Sequence, residues 1–226
     1  MLGPGEFIPL GEDSRLIVQL GLHVFEAVCR QLQIWLAAGG PANVPRVAVN
    51  VSARQLAIPD LADRLSAVAA RYEVPSSKLE IEITESAMMV DPDEAKDVLM
   101  RLRDAGFRVS IDDFGTGYSS LAYLQTFPVD RLKIDKSFIT RHPNDPKTND
   151  GIVRTVIHLA RHLQMDVVAE GVETVDQALN LRALECTYGQ GYFFQRPAAA
   201  EVITPLLRGE RQSAGIEALK SATQAA

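Results

Sequence analysis

Cysteine is scarce in this chain, with only Cys29 and Cys186 among 226 residues. Two thiols close one bridge at most, so this is no disulfide-stapled scaffold. The expected state is two reduced, partly buried thiols in a cytoplasmic protein. Long apolar runs are also missing, and none reaches the roughly 18 residues needed to cross a bilayer. The opening residues, Met1-Leu2-Gly3-Pro4-Gly5-Glu6, have neither the basic nor the apolar region of a secretion signal. Basic charge is in deficit: 23 Lys and Arg face 29 Asp and Glu, a formal net charge of −6. That balance argues against non-specific nucleic-acid binding, and no DNA partner is expected. It leaves room for a phosphate ligand, because bound divalent cations invert the field around a carboxylate cluster. No Cys/His cluster favours zinc. His158 and His162 stand four apart but lack the Glu of a His-Glu-x-x-His site, and read as surface or packing residues.

With 46% apolar residues, the chain is long enough for one sizeable core. Strand and helix patterns alternate along it. Ile17, Leu20, Val24, Val28, Leu32 and Trp35 mark a helix over 14–38, ended by Gly39-Gly40-Pro41. A strand follows at 46–51 and a helix around Leu61, Leu65, Val68 and Tyr72. In the strand at 78–84, Leu79, Ile81 and Ile83 share one face while Glu80, Glu82 and Thr84 share the other. Asp91, Pro92 and Glu94 form the start signal of the next helix. Further strands are expected at 107–112, 130–134, 165–170 and 188–193, with helices at 119–126, 150–163, 174–185 and 199–207. Residues 1–207 read as one domain and 208–226 as a loose tail or weak surface helix. Strands joined by helices imply right-handed crossovers and a parallel α/β sheet. Six strands are two short of a closed (β/α)8 barrel.

In such folds chemistry sits at the carboxyl ends of the strands. Here those ends carry Asn50, Glu82 with Glu85, Asp112-Asp113, Lys133, Glu170 and Gln190. Any one of them alone is most simply a helix cap or a rim residue. Together, an amide, several carboxylates and a lysine make an oxygen-rich pocket suited to Mg²⁺ or Mn²⁺. Asp113-Phe114-Gly115 is also a kinase tripeptide, but no His-Arg-Asp loop or Gly-rich nucleotide loop accompanies it.

The chain resembles the bacterial EAL-domain family of cyclic di-GMP phosphodiesterases. The matching stretches are Glu6-Phe7-Ile8-Pro9-Leu10, Asn50-Val51-Ser52-Ala53-Arg54-Gln55-Leu56, Glu82-Ile83-Thr84-Glu85, Asp112 to Leu121, Leu132-Lys133-Ile134-Asp135, Ala169-Glu170-Gly171-Val172-Glu173 and Gln190-Gly191-Tyr192. The resemblance implies a TIM-like (β/α)8 barrel of the EAL type, here incomplete, and a second-messenger hydrolase of bacterial signal transduction. By position, Asn50, Glu82 and Asp112 match metal ligands, and Asp113 matches the residue bridging to a second metal. Lys133 matches the lysine beside the attacking water. Glu170 and Gln190 match residues that hold the second metal and its water, and Glu173 closes the same motif. Glu85 matches the anchor of the Asp-Phe-Gly-Thr-Gly loop, and Arg54 and Tyr118 match positions near the ligand. The implied reaction opens one phosphodiester of cyclic di-GMP to linear pGpG, with two Mg²⁺ or Mn²⁺ ions activating water.

Three departures qualify that expectation. The hairpin bearing the family's Glu-Ala-Leu segment, whose Glu is a metal ligand, is not found ahead of Glu6, so impaired activity is expected. Thr187 stands where Asp is common, and Gln195 occupies a usually small position before Arg196-Pro197. The competing expectation is a degenerate, non-catalytic EAL module that binds cyclic di-GMP or a partner protein. A Schiff-base aldolase using Lys133 is disfavoured by the ring of carboxylates. The resemblance also implies a possible homodimer and an upstream sensory or GGDEF-type domain.

Overall fold

The computed structural model describes residues 8, 10, 11, 14, 16–40, 44–117, 121–140 and 148–224. The chain divides into two units, one of residues 1–111 with 118–129, the other of 112–117 with 130–226.

In the first unit, helix α1 (Leu16–Gly39) precedes strand β1 (Val47–Asn50), the short helix α2 (Ala53–Leu56) and helix α3 (Leu61–Arg71). Strand β2 (Leu79–Thr84), helices α4 (Glu85–Met88) and α5 (Pro92–Asp104), the start of strand β3 (Arg108–Phe114) and helix α6 (Leu121–Leu124) follow. β1 and β2 pair in parallel. The expected alternation in β2 holds: Leu79, Ile81 and Ile83 are fully buried on one face. Glu80 and Glu82 on the other face are nearly as buried, so this strand is enclosed on both sides. Asp91 caps α5 by accepting from the Glu94 N–H at 3.1 Å, with Pro92 in the first turn. The buried stripe of α1 differs from the expected one. Ile17, Phe25, Cys29 and Leu32 face the core while Val24 is exposed. Two stripes one residue apart both fit a 3.6-residue period, and the edge-to-face packing of Phe25 on Phe107 fixes the observed one.

The second unit holds the end of β3, strand β4 (Arg131–Ile134), helices α7 (Lys136–Ile139) and α8 (Thr148–His162), and strand β5 (Asp166–Ala169). Helix α9 (Val175–Ala183), strand β6 (Tyr188–Gly189) and helices α10 (Ala200–Leu207) and α11 (Ala214–Gln224) complete it. β4 pairs with β5 and β5 with β6, all in parallel. α8 packs on β4 and β5, burying Val153, Ile157 and Ala160. His158 and His162 are exposed on its outer side. α11 packs against α9.

The six strands found among the described residues form one sheet ordered β1-β2-β3-β4-β5-β6. This is the expected incomplete (β/α)8 topology. β6 is shorter than the expected 188–193. After Gly189 the chain leaves the ladder and turns, with the Val172 N–H donating to Gln190 O and the Phe193 N–H to Val172 O. No helix among the described residues is long and apolar enough to cross a membrane.

Candidate active site

In the first unit, parallel register sets Asn50 beside Glu82, so both side chains leave the same face of adjacent strands. Asn50 is exposed and Glu82 buried, and the Val51 N–H donates to Glu82 O at 2.8 Å, extending the ladder past the strand end. Glu85 opens α4 directly after its cap, Thr84, whose hydroxyl accepts from the Ala87 N–H, and its side chain is buried. Arg54 lies exposed on α2, whose cap is a reciprocal pair between Ser52 and the buried Gln55. Tyr118 lies outside the described residues.

In the second unit, the ends of β3, β4 and β5 converge. Lys133 on β4 is buried, with its side chain only 4% exposed. Its ammonium lies 2.9 Å from Asp112 Oδ1 and 2.7 Å from Glu170 Oε1. Glu170 follows β5 and is held in place by its N–H donating to Ile134 O on β4. Asp113 is the next residue after Asp112, and one oxygen each from Asp112, Asp113 and Glu170 lie within 4.8 Å of one another. Among the described residues, these three form the group of acidic side chains able to hold a metal ion. Gln190 follows β6, tied to β5 by its N–H donating to Ala169 O, and is exposed. Glu173 is exposed at the start of α9, its N–H donating to the Gln177 side chain at 2.7 Å.

The backbone of Asp113 is unusual: its φ is +53°, a left-handed conformation few non-glycine residues adopt. Backbone strain of this kind gathers at functional sites. Burial, then the charges of Asp112 and Asp135, push the Asp113 carboxyl above the ordinary carboxylate range, against the pull of Lys133. Burial also raises Glu170, with the Lys133 hydrogen bond and charge opposing it. Negative charge is thus crowded beyond what one ammonium neutralises, which is the electrostatic condition a divalent cation relieves.

Asp135 is the residue for which the sequence offered no role. It follows β4, caps α7 by accepting from the Ser137 N–H at 2.9 Å, and interacts with Asp113. Its signal was a further carboxylate at a strand end, two residues after Lys133.

A model of the EAL domain family matches residues 1–197. The tripeptide Glu217-Ala218-Leu219 falls beyond that match, in α11 with its glutamate exposed, so it is not the family's metal-binding segment. Among curated proteins, the bifunctional diguanylate cyclase/cyclic di-GMP phosphodiesterase MucR of Pseudomonas aeruginosa is 43% identical over 201 residues, covering 89% of this chain and 29% of MucR. The solved PaMucR phosphodiesterase in complex with c-di-GMP superposes with a TM-score of 0.84 at 42% identity, covering 89% of this chain and 81% of that one. BlrP1 of Klebsiella pneumoniae, solved with manganese and cy-diGMP at pH 9.0, gives a TM-score of 0.70 at 30% identity, covering 82% of this chain and 45% of that one. The chain spans 24% to 29% of the length of the first curated relatives it matches. Its strand-end carboxylates, its sheet order and this match over residues 1–197 agree, and the chain belongs to the EAL domain family.

Proposed function

We propose that this chain is a cyclic di-GMP phosphodiesterase domain that hydrolyses the dinucleotide to linear pGpG with two divalent cations, Mg²⁺ or Mn²⁺. The observation that carries the reading is the three-carboxylate group of Asp112, Asp113 and Glu170 around the buried Lys133. The donor set fits a hard cation: it is all oxygen, close together, and already faces one positive charge. Asp112, Asp113 and Glu170 would hold a cation in the second unit, and by family position Asn50 and Glu82 of the first unit match metal ligands. A pair of divalent cations supplies Lewis acidity toward a phosphodiester and lowers the pKa of water.

The protein's own groups do the rest. Lys133, fixed between two carboxylates, presents a cation to the charge that develops on the phosphoryl oxygens. Asp113 and Glu170 would orient the attacking water through their carboxylate oxygens. Glu85, Gln190 and Glu173 would support the loops that carry these groups, and by family position Arg54 and Tyr118 match places where the ligand or the loop would be touched. The full protein would act in the bacterial cytoplasm, where a homodimer and a sensory or GGDEF-type domain are compatible with this role.

The test is chromatographic: cyclic di-GMP is incubated with the chain and Mg²⁺ or Mn²⁺, and pGpG is followed over time. Cation-dependent pGpG supports the proposal. Tight binding without turnover at any cation concentration favours the alternative, a non-catalytic dinucleotide-binding module. Neither binding nor turnover overturns both.

A further inference from the structure

Helix α11 stands outside the residues 1–197 that the family model matches, yet it reaches the surroundings of Glu170 from two directions. It packs against α9, the helix that begins just after the Glu170-Gly171-Val172-Glu173 segment. It also lies against the turn after β6, where a side chain at Gly215 would overlap the Phe193 carbonyl. Ser213 and Gly215 are buried, whereas Ile216, Glu217, Ala218 and Lys220 are exposed, so the start of the helix carries the contact with the turn. The Ser213 hydroxyl accepts from the Ile216 N–H at 3.3 Å and caps that start.

The contact at Gly215 is linked to Glu170 through backbone. Phe193 meets α11 with its carbonyl and donates its N–H to Val172 O at 2.9 Å, while the Val172 N–H donates to Gln190 O at 3.0 Å. Val172 is fully buried, and a side chain at Gly191 would overlap its backbone, so turn and segment lie in direct backbone contact. Gly171 joins Val172 to Glu170 with a φ of +66°, and a Cβ there would run into Lys136. On the other side, the Glu170 N–H is bonded to Ile134 O at 3.0 Å. The link from Phe193 to Glu170 therefore has little slack. A shift of the turn is passed to the carboxylate.

Glycine is a poor choice for α11 itself. Position 215 is the second residue of the helix, where alanine is the better helix former. The close approach to Phe193 is what excludes a side chain. We propose that α11 is a strap that positions Glu170 for the divalent cation, with Gly215 as the positioning residue at its contact point. The assignment rests on the cation-binding part of the reading above. Groups that do not touch a metal but fix the orientation of its ligands commonly change its affinity, because a misaimed carboxylate loses part of its bond.

The test is Mn²⁺ binding to the full chain, followed through the paramagnetic resonance signal of free Mn²⁺ well below the melting temperature. Wild type, Gly215→Ala, Ser213→Ala and Ile216→Ala are compared, with circular dichroism and cation-free melts on the same preparations. Gly215→Ala is expected to weaken Mn²⁺ binding about tenfold, at the low end of what loss of a ligand's support costs, although alanine favours the helix. Ser213→Ala, which only loosens the first turn, should weaken binding by less, and Ile216→Ala on the exposed side should leave it unchanged. Wild-type Mn²⁺ affinity in a folded Gly215→Ala overturns the strap, whatever its melting temperature. If Gly215→Ala does not fold, Ser213→Ala decides in the same way. A loss in Ile216→Ala as large as that in Ser213→Ala also overturns it, because the effect would then not pass through the contact with the turn. Wild type that binds no Mn²⁺ removes the cation-binding reading and the strap with it, whereas unchanged variants of a Mn²⁺-binding wild type remove the strap alone.

Discussion

Lys133 and Glu170 are joined by a 2.7 Å ion pair in which the lysine side chain is 4% exposed and the glutamate 18%. The same ammonium reaches Asp112 at 2.9 Å, so one cation serves carboxylates from the strands on either side of its own. Removing it leaves negative charges facing one another with little water to separate them. Lys133→Met is therefore expected to lower metal-free stability by about 1–3 kcal/mol, less than for a fully buried pair because both carboxylates keep some solvent. Urea unfolding of the variant against wild type measures it, and an unchanged midpoint would contradict the ion-pair account.

Stability should also depend on pH in a stated direction. Asp113 and Glu170 are raised from ordinary values of 3.8 and 4.5, first by burial. The folded state thus binds protons more readily than the unfolded chain. Their stabilising contribution is complete below the ordinary values and is lost as pH rises through the raised ones. Mg²⁺ or Mn²⁺ should restore stability at neutral pH, by about 2.7 kcal/mol at a hundredfold excess over Kd, or roughly 5–10 °C in Tm. The gain should shrink toward pH 5, where protons compete for the same oxygens. Thermal melts with and without cation at both pH values check this, and a gain that grows on acidification would be the wrong sign.

Asp113→Asn separates stability from function. Asparagine tolerates a left-handed φ nearly as well as aspartate, and the substitution removes a charge that Asp112 and Asp135 repel. Stability should stay level or rise by up to about 1 kcal/mol, while cation-dependent turnover falls on the order of 100-fold or more. Denaturation and pGpG assays on one preparation decide it; a large loss of both would mark Asp113 as a structural residue.

Burial raises the Cys29 thiol to about 11 from an ordinary 9.0. Both cysteines are free, and Cys186 is the more exposed. At pH 8 the native thiolate population of Cys29 is about 100-fold below that of an unperturbed thiol, before steric protection is counted. Iodoacetamide followed by mass spectrometry should label Cys186 first and Cys29 only on unfolding. Equal labelling of both in the native protein would contradict the packing of α1.

The carboxylate group of the second unit was legible because its signal is local: Asp112, Asp113 and Glu170 each stand at the end of an apolar strand, and parallel strands bring their ends to one side. The alternation of β2 and the cap at Asp91 were legible for the same reason. What the residues alone did not give is what depends on neighbours far along the chain. The ion pairs of Lys133 need the register of β4 with β5, and the left-handed Asp113 needs the crowding around it. The choice of Phe25 over Val24 needs Phe107, eighty-two positions later. The early end of β6 needs the Val172 backbone, and Asp135 becomes informative only through Asp113.

Diffraction from crystals grown with Mn²⁺, with anomalous maps collected at the manganese edge, reaches the proposed centre most directly. A strong peak about 2.1 Å from oxygens of Asp112, Asp113 and Glu170 is the expected result. Ordered protein with no peak there, or a peak only at other carboxylates, would contradict it.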